Sequence, residues 1–212
     1  MVVYAIVPVK KIGVSKRRLS QSLSLQERKS LTIAMLEDVL KALHTSVVNK
    51  VLVVSNDSKV RPIAERFGAD FFSPLRKGLN FAVEEAWAWC VRNKADSLLV
   101  LPADIPLVTS RDIDCIVQLG SGDRHVVLSP SKDWGTNAFY QCPPNIIHAN
   151  FGNDSFIKHT EEARSKGASV KYYYSLGVGL DVDSAEDLQV LLKVKNETLS
   201  KQVLQSFKIT KS

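Results

Sequence analysis

Cysteine is scarce in this chain: Cys90, Cys115 and Cys142 are odd in number and far apart. Such spacing fits neither a disulfide framework nor a zinc site, so the thiols are read as reduced and the protein as cytoplasmic. No apolar run approaches the length that spans a bilayer, and no signal peptide precedes the first hydrophobic stretch, so no membrane partner is expected. Neither GxxxxGK[ST] nor GxGxxG occurs, which puts a dinucleotide-dependent dehydrogenase at a disadvantage. Aromatic residues are not interleaved with a basic patch, so no nucleic-acid partner is expected either. Internal repeats, low-complexity segments and linkers are absent as well.

Acidic residues are missing from one place where their absence is informative. Residues 2–7, VVYAIV, form an apolar run suited to a buried parallel strand, and Pro8 ends it. The loop that follows holds Lys10, Lys11, Lys16, Arg17 and Arg18 with Gly13 and Ser15, and no carboxylate. Cations beside a strand's carboxyl end, with glycine and serine to turn backbone amides inward, suit a polyphosphate; the plain alternative is a solvated basic loop. The formal charge of +6 concentrates here and in the C-terminal tail, which favours a small anionic partner.

The 212 residues are 45% hydrophobic and suffice for one sizeable core. Further strands are expected at 50–55, 69–73, 97–101 and 124–129, a short one at 136–140, and another at 169–174. Ser24-Leu25-Gln26-Glu27 is a capping box for a helix with a stripe at Leu31, Met35 and Val39. Helices are also expected at 59–67, from Gly78 through Cys90, at 111–119 behind Thr109, at 155–166 and at about 184–194. This alternation predicts an α/β, Rossmann-like single domain over 1–212: a mixed, mostly parallel sheet flanked by helices, with a polar tail from about residue 195.

Three clusters carry candidate chemistry. Asp104, held between Pro102 and Pro106 at the mouth of a strand, is either a metal ligand or a loop or cap residue. Asp181 and Asp183 alternate, so in an extended segment both point to one side. One helix needs one cap, from Asp183 or Ser184, which leaves a carboxylate over. Asp104 with Asp183 or Asp181 would meet the needs of a hard cation bridging triphosphate oxygens. Gly135-Thr136-Asn137 and Gly152-Asn153-Asp154-Ser155 each offer a glycine and a hydroxyl. Free amides at the start of the helix at Ser155 would suit an anion; the plain readings are a turn and a cap. His159, one turn further on, reads as packed or hydrogen-bonded. These parts together suggest metal-assisted nucleotidyl transfer, with a nucleotide-sugar glycosyltransferase of the same fold as the alternative.

The segments IVPVKKIGVSKRRLS, GLNFAVEEA, LPADIPLV, GTNAF, FGNDSFIKH and GLDVDSAEDL, in this order, resemble the 2-phospho-L-lactate guanylyltransferases over nearly the whole chain. The resemblance implies a nucleotide-diphospho-sugar transferase-like fold, also called glycosyltransferase A-like. It implies a homodimeric, magnesium-dependent enzyme of deazaflavin coenzyme biosynthesis that transfers a guanylyl group from GTP to 2-phospho-L-lactate or a related acid such as phosphoenolpyruvate. By that resemblance the loop of Pro8, Val9, Lys10, Gly13, Lys16 and Arg18 would serve the nucleotide, with Lys16 and Asp104 catalytic. Gly78 and Asn80 would lie beside the base, Asp104 with Asp183 or Asp181 would hold the magnesium, and Thr136, Gly152 and Ser155 would receive the acceptor. Arg17, where relatives often carry a small residue, and Ser184-Ala185, where they carry Thr-Pro, depart from the pattern.

Overall fold

The computed structural model describes residues 1–13 and 16–207, with every side chain among them except that of Arg17. Ser15 of the opening loop and the departure at Arg17 therefore lie outside what is described.

β1 (Val3–Pro8) is apolar throughout because it is covered on both faces. Val3, Ala5 and Val7 enter one core while Tyr4 and Ile6 enter the other, the period-two alternation of a strand. β1 pairs in parallel with β2 (Lys50–Val54) on one side and with β4 (Ser97–Val100) on the other, and β2 pairs with β3 (Asp70–Phe72). β6 (Thr136–Cys142) runs antiparallel between β4 and β5 (His125–Pro130), and β7 (Ser169–Tyr172) lies parallel to β5 at the far edge. The order β3-β2-β1-β4-β6-β5-β7 is the mixed, mostly parallel sheet that the alternation predicts. The chain moves outward from β1 to β3 and then returns to place β4 on the opposite side of β1. Strand order reverses there, and the crevice outside the carboxyl ends of β1 and β4 is where open α/β sheets take ligands.

α1 (Leu25–His44) starts at the predicted capping box, Ser24 with Glu27. Its Leu36, Val39, Leu40 and Leu43 pack on the sheet together with α2 (Arg61–Arg66) and α4 (Ser110–Leu119). The other face is covered by α3 (Leu79–Arg92), through Val83, Ala86, Trp87 and Cys90, and by α5 (Ser155–Ser165), through Phe156 and Ala163. A third apolar cluster joins Leu31 and Met35 of α1 to Leu188 and Leu191 of α7 (Ala185–Lys193) and Leu204 of α8 (Leu199–Ser206). The short α6 (Leu176–Gly179) precedes α7.

Three features differ from the sequence expectation. β6 is a seven-residue strand rather than a short one, because it is paired on both sides. Its Gln141 is fully buried at no hydrogen-bond deficit: the side-chain amide meets Pro144 O, Ile147 O, Ile146 N and Ile147 N. The polar tail contains α8, which α1 holds in place: Asp38 accepts from the amides of Leu199 and Ser200. The four residues of α6 had no periodic signal to reveal them.

Candidate active site

Lys16 follows the basic loop in the left-handed conformation, φ 61°. Its ammonium donates to Asp104 Oδ2 at 2.7 Å and to Asp183 Oδ1 at 2.6 Å. The lysine side chain is 4% exposed, whereas those of Asp104 and Asp183 are 32% and 41% exposed, so the carboxylates have an open outer side. Burial alone would depress the Lys16 pKa, but the two carboxylates outweigh it and the net shift is upward. Burial pushes Asp183 up, yet Lys16, with Lys10 and Arg18 behind it, brings its net shift below the ordinary carboxylate value.

The chain holds this cluster rigidly. The Asp104 carbonyl accepts from Val182 N at 3.0 Å, tying the loop after β4 to residues 181–183. Val182 is buried in the third apolar cluster, and the carboxylates on either side of it face the site. The cap question is answered by Ser184, which forms a capping box with Asp187 and leaves Asp183 to Lys16. Asp181 differs: burial raises its pKa, the amide of Asn137 opposes this, and Asp104 and Asp183 add to the rise. Among the described residues no group of three or more carboxylate, imidazole or thiol ligands is placed around one point. The donor set that could hold a magnesium ion is therefore the Asp104–Asp183 pair, completed by water or phosphate oxygens.

The rest of the basic loop is pinned where it leaves the strand. Pro8 ends β1, and the buried Val9 donates to Val54 O at 2.8 Å. Ile12 N bonds Asp57 Oδ2 at 3.0 Å. Gly13 has φ +97°, and a side chain there would also collide with Lys29, whose Cε lies 2.7 Å from the Cβ position. Lys10 and Arg18 are exposed, and Leu19 just beyond them is buried as an anchor.

On the other side of the crevice, Gly78 (φ +107°) opens α3, and Asn80 spans to the loop before α5. Its Oδ1 accepts from Phe151 N at 2.7 Å and its Nδ2 donates to Phe151 O at 3.1 Å. Thr136 Oγ1 lies 3.1 Å from Ser155 Oγ and 3.0 Å from His159 Nδ1, all three side chains being buried. Thus Thr136 and Ser155 are brought together, and Gly152 (φ +135°) has open space where a side chain would be.

Two readings of this region need correction. Ser155 is not the cap of α5; that place belongs to Asp154, at φ 56° and with no side-chain cap bond. Nor are the first amides of α5 free: Ser155 N donates to Gly152 O, Phe156 N to Trp134 O, and Ile157 N and Lys158 N to Asp154 O. An anion here would meet hydroxyls rather than those amides. Sequence reasoning also missed two supports. Asn137 bonds Val178 O and Asp181. Lys132 donates to both oxygens of Asp187 at 2.6 and 2.7 Å, tying the β5–β6 turn to the segment that carries Asp183. Asn137 lay within GTNAF, but Lys132 sits in an exposed turn with no pattern to mark it.

A cation-holding carboxylate pair and a basic loop at the reversal point of this sheet order define a nucleotidyltransferase of the nucleotide-diphospho-sugar transferase-like fold. A solved structure from Desulfovibrio desulfuricans G20, described as a nucleotide-diphospho-sugar transferase, superposes with a TM-score of 0.80 at 16% identity, covering 97% of this chain and 95% of that one. Residues 3–212 match the family model "Guanylyl transferase CofC like", and the chain belongs to that family of guanylyltransferases. It is 34% identical to the 2-phospho-L-lactate guanylyltransferase of Methanocaldococcus sp. (strain FS406-22) over 96% of this chain and 87% of that protein. It is 35% identical to the phosphoenolpyruvate guanylyltransferase of Sphaerobacter thermophilus over 90% of this chain and 93% of that protein.

Proposed function

We propose that this protein transfers the guanylyl group of GTP to the phosphate of 2-phospho-L-lactate or phosphoenolpyruvate and releases pyrophosphate. A phosphate oxygen of the acid attacks the α-phosphorus of GTP and forms a P–O bond. The bond from that phosphorus to the oxygen bridging to the β-phosphorus breaks, and the oxygen leaves on pyrophosphate with the electron pair. No covalent protein intermediate is needed.

The observation that carries this reading is the Lys16 ammonium shared by Asp104 and Asp183 at the reversal point of the sheet. Two carboxylates already gathered about one cation, and open on their outer side, fit the needs of a magnesium ion. Such an ion, when bound, supplies Lewis-acid relief of charge on the triphosphate. Lys10, Lys16 and Arg18 present cations to phosphate oxygens, and Arg18 can take two at once. Asp104 and Lys16 are the catalytic pair in this reading, with Pro8, Val9 and Gly13 shaping the nucleotide loop. Gly78 and Asn80 set the base side, and Thr136, Ser155 and the open backbone at Gly152 receive the acid.

The same reading makes the protein a single-domain, cytoplasmic homodimer of deazaflavin coenzyme assembly, without nucleic-acid or membrane partners. Among the described residues no helix is long and apolar enough to cross a membrane. The test is pyrophosphate release from GTP and magnesium with each acid supplied separately. Release that depends on one of them is expected; none with either acid overturns the proposal.

A further inference from the structure

His159 is the one imidazole packed into the acceptor side, and both of its nitrogens are engaged. Nε2 lies 3.0 Å from the backbone amide of Asn150, and Nδ1 lies 3.0 Å from Thr136 Oγ1. A backbone amide can only donate, so Nε2 carries no proton. The ring is fully buried between aromatic neighbours, with centroids 4.9 Å from Phe139 and 5.1 Å from Phe151, both edge-on, so it has no room to turn over. Burial, with a smaller effect from Lys158, lowers its pKa to about 4, so at neutral pH the imidazole is uncharged and its single proton sits on Nδ1.

Nδ1–H donates to Thr136 Oγ1, and one hydroxyl proton lies between Thr136 and Ser155. Three protons serve two contacts, so one hydroxyl proton is left over, on Thr136 or on Ser155, to point at a ligand. With the opposite tautomer Thr136 would donate to Nδ1 and Ser155 to Thr136, leaving none. We propose that His159 is a positioning residue of the acceptor pocket: held by Asn150 N–H in one tautomer, it makes the Thr136–Ser155 pair a hydrogen-bond donor toward an acidic, phosphorylated acceptor. This inference rests on the reading of Thr136 and Ser155 as acceptor-binding.

Asparagine and glutamine separate the two contacts of the ring. Asparagine places its amide near the Nδ1 position, so His159→Asn keeps a donor for Thr136 and gives up the contact with Asn150. Glutamine reaches the Nε2 position, so His159→Gln keeps an acceptor for Asn150 and gives up the donor to Thr136. Steady-state kinetics with phosphoenolpyruvate and with 2-phospho-L-lactate should show the KM for the acid raised about tenfold in His159→Gln, with KM for GTP little changed, and recovered for the most part in His159→Asn. The reverse order of the two variants, or equal effects on GTP and acid, overturns the inference.

Thr136→Val is the control for the underlying reading. An unchanged acid KM in Thr136→Val removes both the acceptor assignment and the inference; a raised acid KM there with wild-type behaviour in His159→Gln removes the inference alone. Imidazole ¹⁵N spectra of the wild-type protein decide the matter independently of how the variants fold. A protonated Nδ1 and bare Nε2, with the Nδ1 resonance shifting on addition of phosphoenolpyruvate or 2-phospho-L-lactate, is the expected result. A proton on Nε2, or no shift with either saturating acid, overturns the inference.

Discussion

The two sides of the crevice handle polarity in opposite ways. Around Lys16 charge is dense and unbalanced: three carboxylates, Asp104, Asp181 and Asp183, stand within influence of one another, and one buried ammonium bridges two of them. Around Thr136 there is no net charge, and every polar side chain in the Thr136–Ser155–His159 chain has a partner. A charged cluster with exposed outer faces can exchange its cation for another, whereas a buried neutral hydrogen-bonded network costs energy wherever one member is removed. One side is thus suited to gathering and releasing charge, and the other to holding a fixed orientation.

The largest loss is expected at Asp104. Asp104→Asn should lower guanylyl transfer about a thousandfold or more, ~4 kcal/mol of transition-state stabilisation, in protein that remains folded. Asp183→Asn should follow closely and Asp181→Asn by much less, because Asp181 is engaged by Asn137 rather than by Lys16. Rates measured with purified, folded variants check this order.

On the neutral side the expected effect is smaller and falls on a different parameter. Thr136→Val and Ser155→Ala should each raise the KM for the acid about tenfold while leaving that for GTP nearly unchanged. Because Asp154 rather than Ser155 caps α5, a fall in melting temperature from a lost cap is not expected for Ser155→Ala. Kinetics and thermal melts on the same preparations separate binding from stability.

Lys16→Met sharpens the contrast through stability. It leaves Asp104 and Asp183 facing each other without a cation, at a cost of about 1–2 kcal/mol, reduced from a fully buried pair by their exposure. For a chain of this size that is a fall of roughly 2–8 °C in Tm. Magnesium should restore more of the loss than it adds to the wild type.

Acid titration should separate the sides by pH window. The folded pKa of His159 is lowered to about 4 from 6.5, so between these values the unfolded chain binds a proton that the folded chain refuses, and stability falls as pH falls. The loss is on the order of 3 kcal/mol and should be absent from that window in His159→Gln. Asp183, whose pKa is lowered, contributes stability above the ordinary carboxylate range and loses it only as pH drops below that range. Denaturant midpoints at successive pH values check both windows.

Much of the charged side was legible in the residues. Asp104 between prolines, the basic loop after the first strand, and the arithmetic of one cap and two carboxylates near Ser184 all rest on local patterns. That Lys16 joins Asp104 and Asp183 was not legible, because the partners lie 88 and 167 positions away and meet only through the strand order. The neutral side was less legible still. The Trp134 carbonyl that takes the Phe156 amide belongs to a turn across the site, so the start of α5 looked open when it is closed. β6 and α8 were understated because their polar residues, Gln141 and Lys201, are satisfied by contacts that local propensity does not register: Gln141 by the 144–147 loop and Lys201 by the Val194 carbonyl.

The decisive measurement is manganese binding by electron paramagnetic resonance, read as the loss of free-ion signal beyond that caused by GTP alone, because manganese substitutes for magnesium at oxygen sites and its free-ion signal disappears on binding. Tight, stoichiometric loss of free signal is expected with the wild-type protein, and binding weakened by an order of magnitude or more in both Asp104→Asn and Asp183→Asn. Equal manganese binding by the wild type and both variants would contradict it.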